Sequence, residues 1–303
     1  MIGGRGARIV SHAEAEARDV VTPSLPLLGI GARLEVAAGR TQFAVALGLV
    51  ALMVILAALA PALAPYDPSR IDLSRAGLPP GPSHPMGTDR LGRDVLSRWL
   101  IGGRTSLAVA AAAAGLGCTL GAIAGALAGY REGWLGGLID RAIDVALALP
   151  IFFIAVALQT ALPQGETSVI VVLGATGWMG MARILRGEVL RIKRLAFVEA
   201  ARALGCSDCR ILLRHVVPHC AGAFVATLTA CFGEALLLQS TLSFLGLGIP
   251  PPAPSWGGAL LEAMPEMLHG AWWLILVPGL SILSATAALG VCAECLRRES
   301  GWR

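Results

Sequence analysis

Two groups of residues in this 303-residue chain have the side chains and spacing to do chemistry. The first is Cys206, Cys209, His215 and His219, a C-x2-C followed by H-x3-H within FVEAARALGCSDCRILLRHVVPHC, residues 197–220. Paired thiolates and imidazoles are zinc ligands, but finger-type sites leave about 12 or more residues between the pairs, and here the gap is five. The alternative is that Cys206 and Cys209 are reduced thiols packing a helix face, and Cys292 and Cys295 are read the same way. The second group is Glu234 with Gln239, inside the otherwise apolar run from Ala221 to Leu245. An ionisable group at the depth of a bilayer faces a bundle interior or a wet pathway, so both are candidate pathway residues; a hydrogen bond between helices is the other reading of Glu234.

No energy-converting or catalytic motif accompanies them. The single lysine, Lys193, lies in Arg191-Ile192-Lys193-Arg194, whereas a phosphate-cradling loop needs Gly-Lys followed by Ser or Thr. HExxH, GxSxG and GxGxxG before a helix are also missing. No catalytic residue, metal site or cofactor bound by this chain is expected. A membrane enzyme is therefore disfavoured.

The elements that must position these residues belong in a membrane. The chain is 55% hydrophobic and 15% charged, against about 25% charged in a globular domain, and its mean hydropathy is +0.70. Phe43 to Ala60 is an unbroken apolar run of 18, close to the roughly 20 residues that cross about 30 Å of hydrocarbon. Further runs lie at Ser106–Gly129, Val145–Leu162, Ser168–Ala182, Ala221–Leu245 and Trp272–Val291. Six helical spans put both termini on one side. Of the 24 Lys and Arg residues, 18 fall in the segments that are internal when the amino terminus is inside, and the other six all lie between Pro61 and Arg104. The positive-inside rule thus predicts cytoplasmic termini.

The resulting division is a cytoplasmic tail at 1–42, a first transmembrane helix at 43–60, an outer loop at 61–104, a five-helix core at 105–291 with a cytoplasmic loop at 191–219, and a cytoplasmic tail at 292–303. The run at Phe43–Ala60 exceeds the 7 to 15 residues of a signal-peptide core and follows an acid-containing region, so it reads as a retained anchor. The first 40 residues have no clear apolar period and read as a loosely ordered tail. In the second span Gly117, Gly121, Gly125 and Gly129 recur every four residues, which keeps them on one helix face for close packing.

Residues 195–220 read as two short helices. Leu195 to Leu204 ends at Gly205, suited to a left-handed turn; Ser207 caps a second helix that Pro218 terminates. A DNA-binding helix-turn-helix is the obvious alternative, but both ends are tethered to spans and no further helices support a recognition helix. A stiff knob offered to a protein partner fits better, with Arg191, Arg194, Arg202, Arg210 and Arg214 also serving as headgroup anchors.

Glu199-Ala200-Ala201, with Gly205 four residues later and then Pro218, resembles the "EAA" loop of permease subunits of ATP-binding-cassette importers. His84-Pro85-Met86-Gly87-Thr88-Asp89 with Leu91-Gly92-Arg93-Asp94-Val95-Leu96-Ser97-Arg98 is similar to the dipeptide, oligopeptide and nickel branch. So are Leu242 to Gly248 with Pro251, Pro252, Pro254, Ser255, Trp256 and Gly257, and Trp273-Leu274 with Pro278-Gly279-Leu280. The sequence departs from the family at Gln239, where an acid is common, and at Val291 to Cys295, which replaces an Asp-Gly-Leu-Arg-Asp tail.

The resemblance implies an all-α, six-helix permease of the type I importer fold in a bacterial or archaeal inner membrane. Its implied partners are a second homologous permease, two ATPase subunits carrying ATP and Mg, an extracytoplasmic binding protein and membrane lipid, with no nucleic acid. Glu199 would contact the ATPase, Ala200 and Ala201 would allow close packing, and Gly205 would set the turn. An amphipathic helix near Asp94 to Leu100 would lie at the outer surface. Short peptides are the first implied cargo; nickel, another chelated metal, opines or glutathione-like solutes come next. A secondary transporter working without ATPase is the rival class, for which inverted repeats are missing.

Overall fold

The computed structural model describes residues 25–131 and 134–299. Residues 1–24 of the expected amino-terminal tail and 300–303 of the carboxy-terminal one lie outside them. Residues up to Gln42 and those from Phe43 onward are two compact units; of the first, residues 25–42 are helical.

Helix α1 is Leu25–Leu63, starting well before the expected Phe43. The lack of an apolar period hid this start, because Ala, Leu, Arg and Glu sustain a helix by propensity without marking a buried face. From Phe43 on, Phe43, Ala46 and Val50 lie against Ala288 and Cys292, while Val45, Leu52, Val54, Ile55 and Leu59 stay exposed for lipid. Helix α2 is Val95–Tyr130. At about 1.5 Å per residue its 36 residues extend about 54 Å, far beyond the hydrocarbon. The amphipathic helix expected near Asp94 to Leu100 is therefore not a separate element but the opening turns of α2, continuous because nothing between Leu100 and Ser106 breaks the helix.

The expected span at Val145–Leu162 is broken into α3 (Trp134–Ala148) and α4 (Ile151–Ala161), with 89° between Gly136–Ala148 and Ile151–Ala161. Pro150 is the cause. It has no N–H to continue the α3 ladder, it drives Leu149 out of the helical region, and its own backbone is extended at φ −70°, ψ 107°. Helix α5 (Glu166–Ile192) follows, then α6 (Ala196–Ala203) and α7 (Asp208–Ile211). A helical stretch continues from α7 into α8 (Ala221–Phe244), and α9 (Trp256–Met267) and α10 (Trp273–Glu299) complete the chain. Five helices are long and apolar enough to cross a membrane, six if α3 and α4 count as one span.

The most extensive packing joins α2 to α5, and the glycine stripe makes it. A Cβ on Gly117 would meet the Gly174 carbonyl, one on Gly121 that of Trp178, one on Gly125 that of Ala182, and one on Gly129 that of Arg186. Both series advance by four, so the two helices run parallel in a fixed register. Parallel neighbours require the chain between them to return across the bundle. The bent α3–α4 pair makes that return, which gives the sixth crossing a topological basis. Arg186 and Arg183 of α5 hold α3 through Asp140 at 2.8 Å and Asp144 at 2.7 Å.

The loop end of the bundle is tied by buried ions. Asp94 caps α2 by accepting from the Ser97 N–H at 2.8 Å and hydroxyl at 2.7 Å, and its other oxygen meets His84 Nδ1 at 2.9 Å. Arg93 Nε donates to Asp89 at 2.6 Å, and Arg93 and Arg98 share Glu262 Oε2 at 2.6 and 2.8 Å. Trp256 Nε1 donates to the Trp99 carbonyl at 3.1 Å, and Trp99 Nε1 to Ser281 at 2.7 Å. The segment expected to be a stiff connection at Pro250 to Trp256 thus leads into a helix, α9, that anchors the loop.

Candidate functional site

The knob at residues 195–220 is built from α6, α7 and the two turns that follow, and it rests on α5. Val198 and Ala201 of α6 are buried with Ile211, Val216 and Cys220, against Met181, Leu185, Val189 and Ile192 of α5 and Cys118 of α2. Gly205 closes α6 at φ +79°. Its N–H donates to the Arg202 carbonyl at 3.0 Å and that of Cys206 to the Ala201 carbonyl at 3.2 Å, a Schellman pair that satisfies the helix end. Ser207 takes the capping position of α7 but makes no side-chain capping bond.

Pro218 does not end the second helix as the sequence suggested. Leu212–Val216 widens into a π turn and Val217–Cys220 tightens into a 3-10 turn before α8. Together these accommodate the missing proline N–H and its ring without stopping the chain. The knob is thereby fused to a membrane helix. Tyr130, at the end of α2, donates its hydroxyl to Asp208 at 2.8 Å and fastens the other side. Tyr130→Phe should cost about 1 kcal/mol, read as a small drop in melting temperature of the purified protein.

On α6 Phe197, Glu199 and Ala200 are exposed, as is its C-cap Leu204, and Leu213 is exposed on the π turn. Leu204 is 84% exposed and Leu213 63%. Large apolar side chains beside Arg194, Arg202, Arg210 and Arg214 form a surface suited to a protein partner. Of the expected coupling residues, Glu199 and Ala200 can touch such a partner. Ala201 instead packs into the core, and Gly205 shapes the turn.

Cys209 is exposed and Cys206 half-buried. His219 stacks on Phe197 with ring centroids 4.9 Å apart, and its Nδ1 is bonded to the His215 carbonyl at 2.6 Å. Among the described residues no three His, Cys, Asp or Glu side chains come together in a group able to hold a metal ion.

Glu234 and Gln239 have different surroundings. Gln239 is fully buried and bonded within its own helix, donating from Nε2 to Ser243 Oγ at 3.2 Å. Glu234 lines two cavities of about 370 and 330 Å³ that follow one another along one face of α8. The ionic tie of Asp89, Arg93, Arg98 and Glu262 escaped the sequence reading. Its local half was visible in the four-residue spacing of Asp89 and Arg93, but Glu262 lies 169 positions from Arg93 with no sequence signal.

Residues 120–298 match the family described as the inner membrane component of binding-protein-dependent transport systems. The chain is 36% identical over 235 residues to the oligopeptide transport system permease protein OppC of Bacillus subtilis (strain 168), covering 78% of this chain and 77% of that protein. It is 36% identical over 243 residues to the dipeptide transport system permease protein DppC of the same organism, covering 80% and 76%. The glutathione transport system permease protein GsiD of Escherichia coli O1:K1 / APEC is 37% identical over 249 residues, 82% of each chain. Spanning helices fused to a buttressed knob suit a subunit driven by others, and the extent of these matches shows that the chain belongs to this family as an integral membrane permease subunit of an ATP-binding-cassette importer, working with ATPase and permease partners.

Proposed function

We propose that this chain forms half of a pathway importing short peptides, and that two ATPase subunits drive it by gripping the α6 knob from the cytoplasm. The observation that carries the reading is that Phe197, Leu204 and Leu213 are exposed on a knob whose inner side chains pack into α5 and α2. A force applied to Glu199 and Ala200 passes through Val198, Ala201 and Ile211 into two membrane helices. The peptide cargo is supported by the oligopeptide and dipeptide permeases among the relatives.

In this reading ATP and Mg reside on the ATPases and this chain binds no cofactor. Both termini are cytoplasmic in a bacterial or archaeal inner membrane, as the distribution of arginines indicates. The ion-tied loop at the opposite end receives an extracytoplasmic binding protein, and lipid covers α1. Closing of the ATPases around ATP moves the paired permeases from inward-facing to outward-facing; hydrolysis resets them.

The assembled complex in proteoliposomes should take up a labelled dipeptide only when ATP is present on the ATPase side. Uptake without any ATPase subunit would overturn the reading. Gly205→Val provides a finer test. A β-branched residue in the left-handed region costs about 1–2 kcal/mol or more and displaces the end of α6. Dipeptide uptake should fall about tenfold while ATP hydrolysis persists, and Gly205→Asn, which tolerates that backbone, should restore most of it. Full uptake by Gly205→Val would show that the turn carries no force.

A further inference from the structure

Two cavities meet at one carboxylate. The first, about 370 Å³, is bounded by α2, α4, α5 and α8 and lined by apolar and small residues with Thr176, Thr241 and Cys231. The second, about 330 Å³, lies between α5, α8 and α10. Both are in the size range of small-molecule sites, and Glu234 lines both. Their walls also include Gly177 and Gly180, where an added Cβ would meet open space.

Glu234 lies in mid-span, unlike three paired acids nearer the helix ends. Glu188 is held by Arg191, Glu262 by Arg93 and Arg98, and Glu294 by Arg297 and Arg298. Among the described residues Glu234 accepts no hydrogen bond and pairs with no cation. A carboxylate in the middle of a spanning helix is costly unless a wet cavity or a positive group meets it, and Glu234 is exposed onto its two cavities. Arg297, which lines the second cavity, is already engaged by Glu294 at 2.9 Å.

A divalent metal ion is a poor occupant. It demands six or more oxygen ligands or a set of thiolates and imidazoles, and no such group surrounds Glu234 among the described residues. A primary ammonium needs one compact negative charge and an apolar pocket for what it is attached to. Glu234 and its cavities offer that combination.

We propose that Glu234 is the waypoint for the α-ammonium group of cargo, holding a short peptide by its amino end as it passes from the first cavity to the second. This assignment rests on the peptide-importer reading above.

The test uses the full complex, with ATPases and second permease, in nanodiscs without nucleotide. Dicyclohexylcarbodiimide labels carboxyl groups inside membranes, and mass spectrometry reads the extent at Glu234. Millimolar alanyl-alanine should slow labelling of Glu234 by about tenfold or more, because an ammonium at contact distance pairs directly with a carboxylate that opens onto apolar cavity walls. N-acetylalanyl-alanine, the same size without the charge, should leave the rate within about twofold. Equal protection by both peptides, or by neither, overturns the proposal. So does labelling that ignores both peptides and quickens only when the second permease is omitted, which would assign Glu234 to an ion pair with that subunit. ATP-driven uptake of alanyl-alanine is measured in parallel. No uptake by the wild type sinks the peptide reading, whereas uptake without ammonium-specific protection sinks only the role of Glu234.

Discussion

Replacing Gly121 with leucine is expected to remove nearly all folded permease from detergent extracts. The space a side chain would need is filled by the Trp178 carbonyl, with the Met181 Cβ at 2.8 Å and the Ala182 nitrogen at 3.0 Å. These are mainly backbone atoms of α5, which cannot swing aside as a flexible side chain can. Overpacking costs about 1–3 kcal/mol where side chains can adjust, and more where they cannot. That is a large share of the about 5–15 kcal/mol by which domains are stable. Gly115→Ala is the control, since nothing lies within 4 Å of its added Cβ. It should keep the wild-type elution profile and gain up to about 1 kcal/mol from helix propensity. A Gly121→Leu protein that elutes and melts like the wild type would contradict the α2–α5 contact.

Glu262→Ala should be nearly as damaging at the loop end. The Arg93 and Arg98 side chains are 5% and 7% exposed, and both donate to the same Glu262 oxygen. Asp89 alone would then face two buried guanidinium groups, one of them at 3.7 Å. Removing one member of a buried ionic group typically costs about 3–5 kcal/mol, because it leaves a charge without its partner. The expected result is rapid proteolysis within residues 68–94 and a lower melting temperature. Glu294→Ala gives the contrast. Its arginine partners are largely exposed, and such pairs are worth about 0–1 kcal/mol. If Glu262→Ala and Glu294→Ala melt alike, the buried network does not hold the loop.

These two sites also show what the chain discloses before it folds. The four-residue recurrence from Gly117 to Gly129 announces a close-packing face by itself, since helical geometry alone puts those residues in line. The partner helix could not be named. Gly174, Trp178, Ala182 and Arg186 share the period but not the residue type, so only coordinates reveal the common register. The turn at Gly205 was legible because so few residues adopt a left-handed backbone. The consequence of Pro218 was misjudged, because a π turn followed by a 3-10 turn absorbs a proline and neither has a residue signature. Pro150 was the reverse case: a proline inside an apolar run passed as part of a span, and it breaks that span almost at a right angle. Glu234 stood out as a lone acid among apolar residues, but the cavities on either side of it are made by α2, α4, α5 and α10, distant in sequence.

The meshing of α2 with α5 constrains how such a molecule can work. Backbones that touch at four successive levels leave no slack for sliding or rotation of one past the other, so the two must travel as a single keel. The room for rearrangement lies instead along the face of α8 that carries Glu234, where the two cavities follow one another beside α4, α5 and α10.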